Sequence, residues 1–485
     1  MSDLDLCYMP GYLLQEQFRA RKLSPVELLD AQIRRAEAVN PKINAYTDAY
    51  YDEAMEQARL AEGAFARKNG PIRPLEGLTL AVKDLQPLAG KRTTQGSLLY
   101  QDEVATENSP VNQRLLDAGA IVVAKTTTPE FSSAGVTYSK LFGATGTPWN
   151  PAYTSGGSSG GSAASLGAGM VTLATGSDIA GSIRVPAACC GVVGYKPPYG
   201  RIPSKPPFNL DYYNQTGPLA QSVGDCAMMT NVMSGVHSSD IASLRETINL
   251  PLEYADIKGL RIAYSVDLGS FNIAPEVRQQ LMETVALLAD LGADVEAVDL
   301  GWGEEVTSTA INYLDHLFGR ELARYYEEHG DALCDYNIFY AQRAGNSDAE
   351  DFLSSYEVAN QMYRSLGAVL EEFHSFICPT VATHEVSAEA KPWETIKVNG
   401  KDMITDFDWV LTHPFNMLSR LPVIAIPNGI AGNGLPTSIQ IVSRSYDDHR
   451  VFQLARAIEK ASPWLDCEAR RPLTGCNSPS SILKY

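Results

Sequence analysis

The chain has 485 residues, 45% of them apolar and 20% charged, and a formal net charge of −18 at pH 7. That charge repels nucleic-acid phosphates and anionic lipid surfaces, no Lys/Arg run reverses it locally, and no apolar stretch approaches the ~20 residues of a membrane helix. These properties exclude nucleic acid and membrane as expected partners and leave a globular chain read as one large domain over 1–485.

The N-terminal MSDLDLCYMPGYLL has acidic residues where a secretory leader needs positive charge, so a cytoplasmic location is expected. Eight cysteines, at 7, 189, 190, 226, 334, 378, 467 and 476, form no CxxC pair and have no histidine at metal-ligand spacing. Free or buried thiols are expected, with neither a disulfide framework nor a metal.

In chain order, Ser24-Pro25 opens a capped helix to about Asn40 with Val26, Leu29 and Ile33 on one face, and a polar helix covers Tyr50 to Arg67. Gly77 to Asp84 alternates as a strand with Lys83 at its end. Ser109-Pro110 starts a helix that stops near Gly119 and is followed by a strand over Ala120 to Lys125. Pro275 to Leu291 and DVEAVDL repeat that helix-strand unit. Further strands are expected in LRIAYS (260–265), FICPT (376–380), PVIAIP (422–427) and TSIQIVS (437–443), and MVTLAT (170–175) has the texture of a buried strand. The pattern predicts an α/β fold with a mixed, mostly parallel central sheet covered by helices on both faces. Glu304 to Phe373 reads as an acidic, tyrosine-rich helical insertion or cover, Gly200 to Gly217 as an ordered loop, and Cys467 to Tyr485 as a loosely held tail.

The stretch from Thr154 to Lys196 carries the chemistry. Ser158 lies in GGSSGG and Ser182 in GSDIAGSIR, small residues that let consecutive backbone N–H groups converge on one oxygen. A serine hydroxyl needs a base and oxyanion donors to act as a nucleophile. Two blander readings stand beside this one: Gly156 to Ser162 as a flexible linker, and Lys83 as a solvated strand-end lysine. The linker reading is weakened by the charge-free, apolar text that follows up to Asp178.

AVKD with Lys83, GGSSGGSAAS with Ser158, GSDIAGSIRVPA with Ser182, GVVGYKPPYGR and the closing LPVIAIPNGIAGNGLPTSIQIV together resemble the amidase signature family of serine hydrolases, from about Leu28 to Lys460. The resemblance implies an N-terminal helical region over 1–70, a signature core over 71–230, the cover over 304–373 and closing strands and helix over 420–460. It implies Ser182 as nucleophile, Ser158 as a bridging serine after a cis peptide from Gly157, and Lys83 as terminal base. Oxyanion donors would then be the N–H groups of Ile179, Ala180, Gly181 and Ser182. Asp178 and Arg184 match the motif as structural residues. Many family members have Gly-Gly before the nucleophile where this chain has Ala180-Gly181, which is tolerable provided φ at Ala180 is negative. For the relay to work, Lys83 must be neutral, because an ammonium has no lone pair; burial would lower its pKa.

Two rival readings remain open. Gly156 to Gly160 formally matches G-x-S-x-G, which would make Ser158 the nucleophile of an α/β-hydrolase-like esterase with His384, His413 or His449, although no helix is evident directly after a strand there. Alternatively, the chain is the amidase-fold subunit of a glutamine-dependent amidotransferase, or an inactive relative. The segment 130–142 resembles a wall of the family's acyl pocket, and Phe131, Tyr138 and Gly157 are the candidate substrate-binding residues, joined by the aromatic loop Phe208 to Tyr213; these aromatics are equally readable as core. The expected partners are water and a small aryl or alkyl amide, ester or carbamate, handled by a monomer or homodimer without cofactor.

Overall fold

The structure is a computed structural model that describes residues 2–67, 70–206, 208–403 and 406–472. Of the polar C-terminal tail, everything from residue 473 on lies outside the described residues, as does Cys476.

Among the described residues eleven strands form one sheet: β1 Tyr46–Ala49, β2 Thr79–Lys83, β3 Ile121–Thr126, β4 Leu173–Asp178, β5 Val193–Lys196, β6 Gln215–Ala220, β7 Arg261–Tyr264, β8 Asp294–Ala297, β9 Ser375–Pro379, β10 Val423–Ile430 and β11 Pro436–Val442. Their spatial order is β1-β3-β2-β4-β6-β5-β10-β11-β9-β7-β8. The fold is α/β with a mixed sheet, but the expectation of mostly parallel pairing is corrected. Parallel pairing is confined to the β3-β2-β4 and β8-β7-β9 triplets. The other six pairings are antiparallel. Both kinds include strands that are buried throughout and mix apolar with polar residues, as in TLAVK of β2 and PTSIQIV of β11, so sequence texture did not separate them.

Leu80 and Val82 of β2 face one hydrophobic cluster and Ala81 the other, as the two-residue period requires. Helices cover both sides: Val223–Met233, Pro275–Asp290 and Asp448–Ala461 contribute to the first cluster, and Pro25–Ile43, Tyr51–Ala66 and Gly160–Gly167 to the second. Ser24 caps Pro25–Ile43 with a full capping box, its hydroxyl accepting from Glu27 N–H. The strand expected over MVTLAT starts three residues later, at Leu173, and just before it the Thr172 N–H donates to the Thr79 hydroxyl instead of to the backbone of a neighbouring strand. No described helix is long and apolar enough to cross a membrane.

The section 304–373 is helical as expected, but it is more than a lid on the sheet. Its helix Glu305–Leu314 continues through a π-helical segment, Asp315–Gly319, into Arg320–His329, followed by Asp335–Ala344 and Ala349–Glu372. The π segment changes the helical phase and thereby turns Asp315 and Phe318 toward the cavity described below.

Candidate active site

In open α/β sheets ligands lie beyond the carboxyl ends of the strands. Here the parallel neighbours β2 and β4 bring Lys83 and Ser177 out at one such edge. Lys83 Nζ lies 2.7 Å from Ser158 Oγ and 2.9 Å from Ser177 Oγ, while its backbone N–H donates to Thr175 Oγ1. The side chain is fully buried. Burial pushes its pKa down to about 7, the negative charge of Asp178 offsetting only part of that fall.

Two other lysines are equally buried, and their surroundings separate them from Lys83. Lys196 Nζ donates to the carbonyl oxygens of Pro197, Ser419 and Leu421, and Lys125 Nζ donates to Gln86 O and to Thr93 Oγ1 and sits 3.4 Å from the Asp84 carboxylate. Carbonyl and carboxylate oxygens can only accept, so the Lys196 site requires an N–H donor toward every partner, and beside Lys125 the Asp84 carboxylate favours the ammonium. The partners of Lys83 are hydroxyls, which can also donate, so a neutral amine is satisfied there.

The two serine segments meet because the glycine-rich chain packs without side-chain volume. The Gly157–Ser158 peptide is cis. A Cβ at Gly157 would collide with the carbonyl of Ala134, and one at Gly161 with Thr127 and Ala45. Every residue from Thr154 to Asp178 is buried, which corrects the linker reading. The N–H of Ser159 donates to the carbonyl of Ser182 at 3.2 Å and ties the two segments. Ser158, at 1% exposure, and Ser182, at 9%, both line a cavity of about 180 Å³.

Asp178 organises the turn between β4 and Ser182. Its carboxylate accepts from the N–H groups of Gly181 (2.8 Å), Ile183 (3.2 Å) and Arg184 (3.4 Å) and from the Arg184 guanidinium (3.0 Å). Burial alone would raise its pKa, but Arg184 and the Asn416 amide hold it below the ordinary carboxylate value. Arg184 also donates to Gln440 and Asn416, so the turn is bolted to β11 and to the short helix Pro414–Met417. Of the four N–H groups expected to face an oxyanion, that of Gly181 is directed to Asp178, leaving those of Ile179, Ala180 and Ser182 for that role. The left-handed φ of the turn falls on Gly181 (129°) and not on Ala180, and a Cβ at Gly181 would run into Thr412.

Thr412 holds the other side of the same peptide unit, its hydroxyl donating to the carbonyl of Ala180 at 2.6 Å. Replacement by valine removes one hydrogen bond, worth about 1–1.5 kcal/mol. Thr412→Val is expected to lower kcat about tenfold at little-changed KM, with Thr412→Ser restoring it; equal loss in both variants would contradict a role for this bond.

Phe131, Gly157 and Phe208 line the cavity. Tyr138 does not: its ring packs edge-on against Tyr336 and lies under Lys391 Nζ, so its assignment to the substrate is corrected. Tyr213 stacks on Tyr313 in the core, the blander reading of that aromatic loop. The sequence reading missed the contribution of the helical cover, where Leu314, Phe318, Leu322 and Tyr325 form one wall and Arg343 pairs with Asp315 at 2.7 Å. It also missed Ser177, which was within reach because it directly precedes Asp178 in the motif, and Thr412 and Asn416, for which no local signal exists.

A helix does begin directly after the glycine turn, at Gly160, behind the strand Asn150–Thr154, contrary to the sequence reading of that segment. That strand, however, pairs with Gly146–Thr147 outside the main sheet, and among the described residues no histidine lines the cavity. His413 is buried, with Nε2 3.2 Å from Thr307 Oγ1, and burial together with Arg184 holds its pKa at about 3; His449 is exposed.

The amidase family profile matches residues 27–452. The chain is 32% identical to an acylamidase of Rhodococcus erythropolis, over 96% of this chain and 98% of that one. It is 31% identical to one component of the glutamyl-tRNA(Gln) amidotransferase of Synechococcus sp. (strain CC9605), over 92% and 95%. Among solved structures, a bacterial aryl acylamidase of the amidase signature family superimposes with a TM-score of 0.85 at 25% identity, over 94% and 97% of the two chains. A 6-aminohexanoate cyclic dimer hydrolase does so with a TM-score of 0.82 at 28% identity, over 96% and 99%. The fold and these relatives make the chain an amide-hydrolysing enzyme. The chain belongs to the amidase signature family.

Proposed function

We propose that the protein hydrolyses aryl or alkyl amides through an acyl-enzyme on Ser182, with Ser158 and Lys83 carrying the proton. The observation that carries this reading is the 2.7 Å contact between a buried, hydroxyl-surrounded Lys83 amine and Ser158. Neutral Lys83 takes the Ser158 proton as Ser158 takes that of Ser182, whose Oγ attacks the carbonyl carbon. The N–H groups of Ile179, Ala180 and Ser182 stabilise the oxyanion. The proton then returns through Ser158 to the leaving amine, and water repeats the cycle on the acyl-enzyme. Esters and carbamates follow the same acyl transfer and complete the expected substrate panel, to be ranked by kcat/KM on anilide, ester and carbamate probes sharing one acyl group.

Because the neutral lysine is the competent form, activity is lost as Lys83 gains a proton. In a pH series kcat/KM is expected to rise across a pKa of about 7 and level off above it. A profile flat from about pH 5 to 9 would rule out Lys83 as the base.

The amidotransferase relatives support a second reading, in which the chain releases ammonia from glutamine within a larger assembly. Assay of the purified chain alone separates the two: anilide hydrolysis without added partners favours the amidase, and activity confined to glutamine in the presence of partner chains favours the other.

A further inference from the structure

A second cavity, of about 530 Å³, adjoins the first and shares with it Leu85, Gln95, Ser177, Phe208, Asn214, Glu321 and Tyr325. The two differ in which catalytic elements they touch. The first contains Ser158, Ser182 and the Ile179–Gly181 turn. The second is walled by the chain that leaves Lys83, including Gln86, Pro87 and Thr93, and of the candidate catalytic cluster it meets Ser177, the hydroxyl bonded to Lys83.

Resting on the Ser182 reading above, we infer that the second cavity receives the leaving amine, so that the enzyme is built for N-substituted amides whose amine portion is larger and more polar than the acyl portion. The direction follows from the proton. When Ser182 Oγ bonds to the carbonyl carbon and the C–N bond breaks, its electron pair stays on nitrogen, which takes the proton that Ser182 gave up and that Ser158 returns from Lys83. The nitrogen must therefore face Ser158, beside the Lys83–Ser177 pair, and its substituent has the adjoining space beyond Ser177 to continue into. The oxyanion turn and the acyl carbon remain on the side of the first cavity.

The sizes and walls set the class. A space of roughly 150 Å³ holds a benzene ring, so the first cavity, at about 180 Å³, bounded by Phe131, Phe318, Leu322, Phe407 and Val410 and also by the Asp315–Arg343 ion pair, fits a benzoyl or short branched acyl group. The second is about three times larger, within the range of pockets for drug-sized ligands, and carries Thr93, Glu103, Glu107, Ser204 and Thr216 on its walls. A primary amide, which releases ammonia, would leave it unused and forgo the binding energy that remote groups contribute to the reacting centre.

The test compares a primary amide with an N-substituted amide of the same acyl group and a large polar amine, in the wild type, Ala105→Trp and Thr106→Trp. Both positions lie on the second cavity only, and Thr106 is exposed, so at least one variant should fold. In the wild type kcat/KM for the substituted amide is expected to exceed that for the primary amide by at least a hundredfold. In a variant with an unchanged melting temperature that ratio is expected to fall at least tenfold, while deacylation, measured from the shared acyl-enzyme, stays the same. A ratio untouched in both folded variants, or a change in deacylation equal to the change in acylation, overturns the assignment. Ser182→Ala serves as the separate control: if it keeps hydrolysis, the nucleophile reading fails, and not the division between cavities.

Discussion

Replacing Lys83 with alanine is expected to lower kcat for an anilide by about 10²–10⁴-fold, the scale of a lost general base. The amine is the one group in the cluster able to accept and return a proton near neutral pH, because burial holds it at about 7 among hydroxyl partners. Lys83→Met separates this loss from unfolding. The folded-state pKa lies below the ordinary 10.5, so the unfolded chain binds the proton more tightly and the fold gains stability as pH falls less far below 10.5, that is, as pH rises from about 7 to about 10.5. At pH 7 the methionine variant escapes that desolvation cost, and its melting temperature should be unchanged or raised while activity is lost. His413→Ala and His449→Ala should retain hydrolysis. If they abolish it while Lys83→Ala does not, the base has been misassigned and an esterase-like Ser158 site returns.

Ser182→Ala is expected to abolish acyl-enzyme formation and reduce kcat by about 10⁴–10⁶-fold, the range seen when the nucleophile of a cooperative catalytic group is removed. A fluorophosphonate or carbamate probe analysed by intact mass should label the wild type once and the alanine variant not at all. Ser158→Ala offers the informative contrast. It retains the attacking oxygen but breaks the bridge to Lys83, so slow residual labelling with little turnover is expected. Labelling of Ser182→Ala at the wild-type rate would move the nucleophile to Ser158.

Local chemistry already decided much of this site from the sequence. Lys83 at the end of an alternating strand, the glycines around Ser158, and Asp178 and Arg184 flanking Ser182 are each governed by residue type and near neighbours. The helices capped by Ser24 and Ser109 are likewise local and begin where the sequence places them. Tyr138 and Gly181 show where such reasoning stops. The Tyr138 ring is aimed by packing on Tyr336 and Lys391, distant in the chain, and the Gly181 N–H is taken by a carboxylate whose orientation depends on Arg184 and Asn416.

Residue order alone is enough for the α/β class and the amidase family resemblance, and it singles out Lys83, Ser158 and Ser182 as the proposed trio, because these readings rest on backbone freedom, strand period and side-chain chemistry. Packing between distant segments gives Lys83, of three buried lysines, partners that are hydroxyls alone, while Lys125 also faces a carboxylate and Lys196 carbonyls. It decided that most of the sheet is antiparallel and that residues from 304–373 close the cavity. It also set two unequal spaces on either side of Ser177. The physical reason is common to all of these: burial, pairing direction and cavity shape are set by contacts between segments far apart in the chain, which no local pattern records.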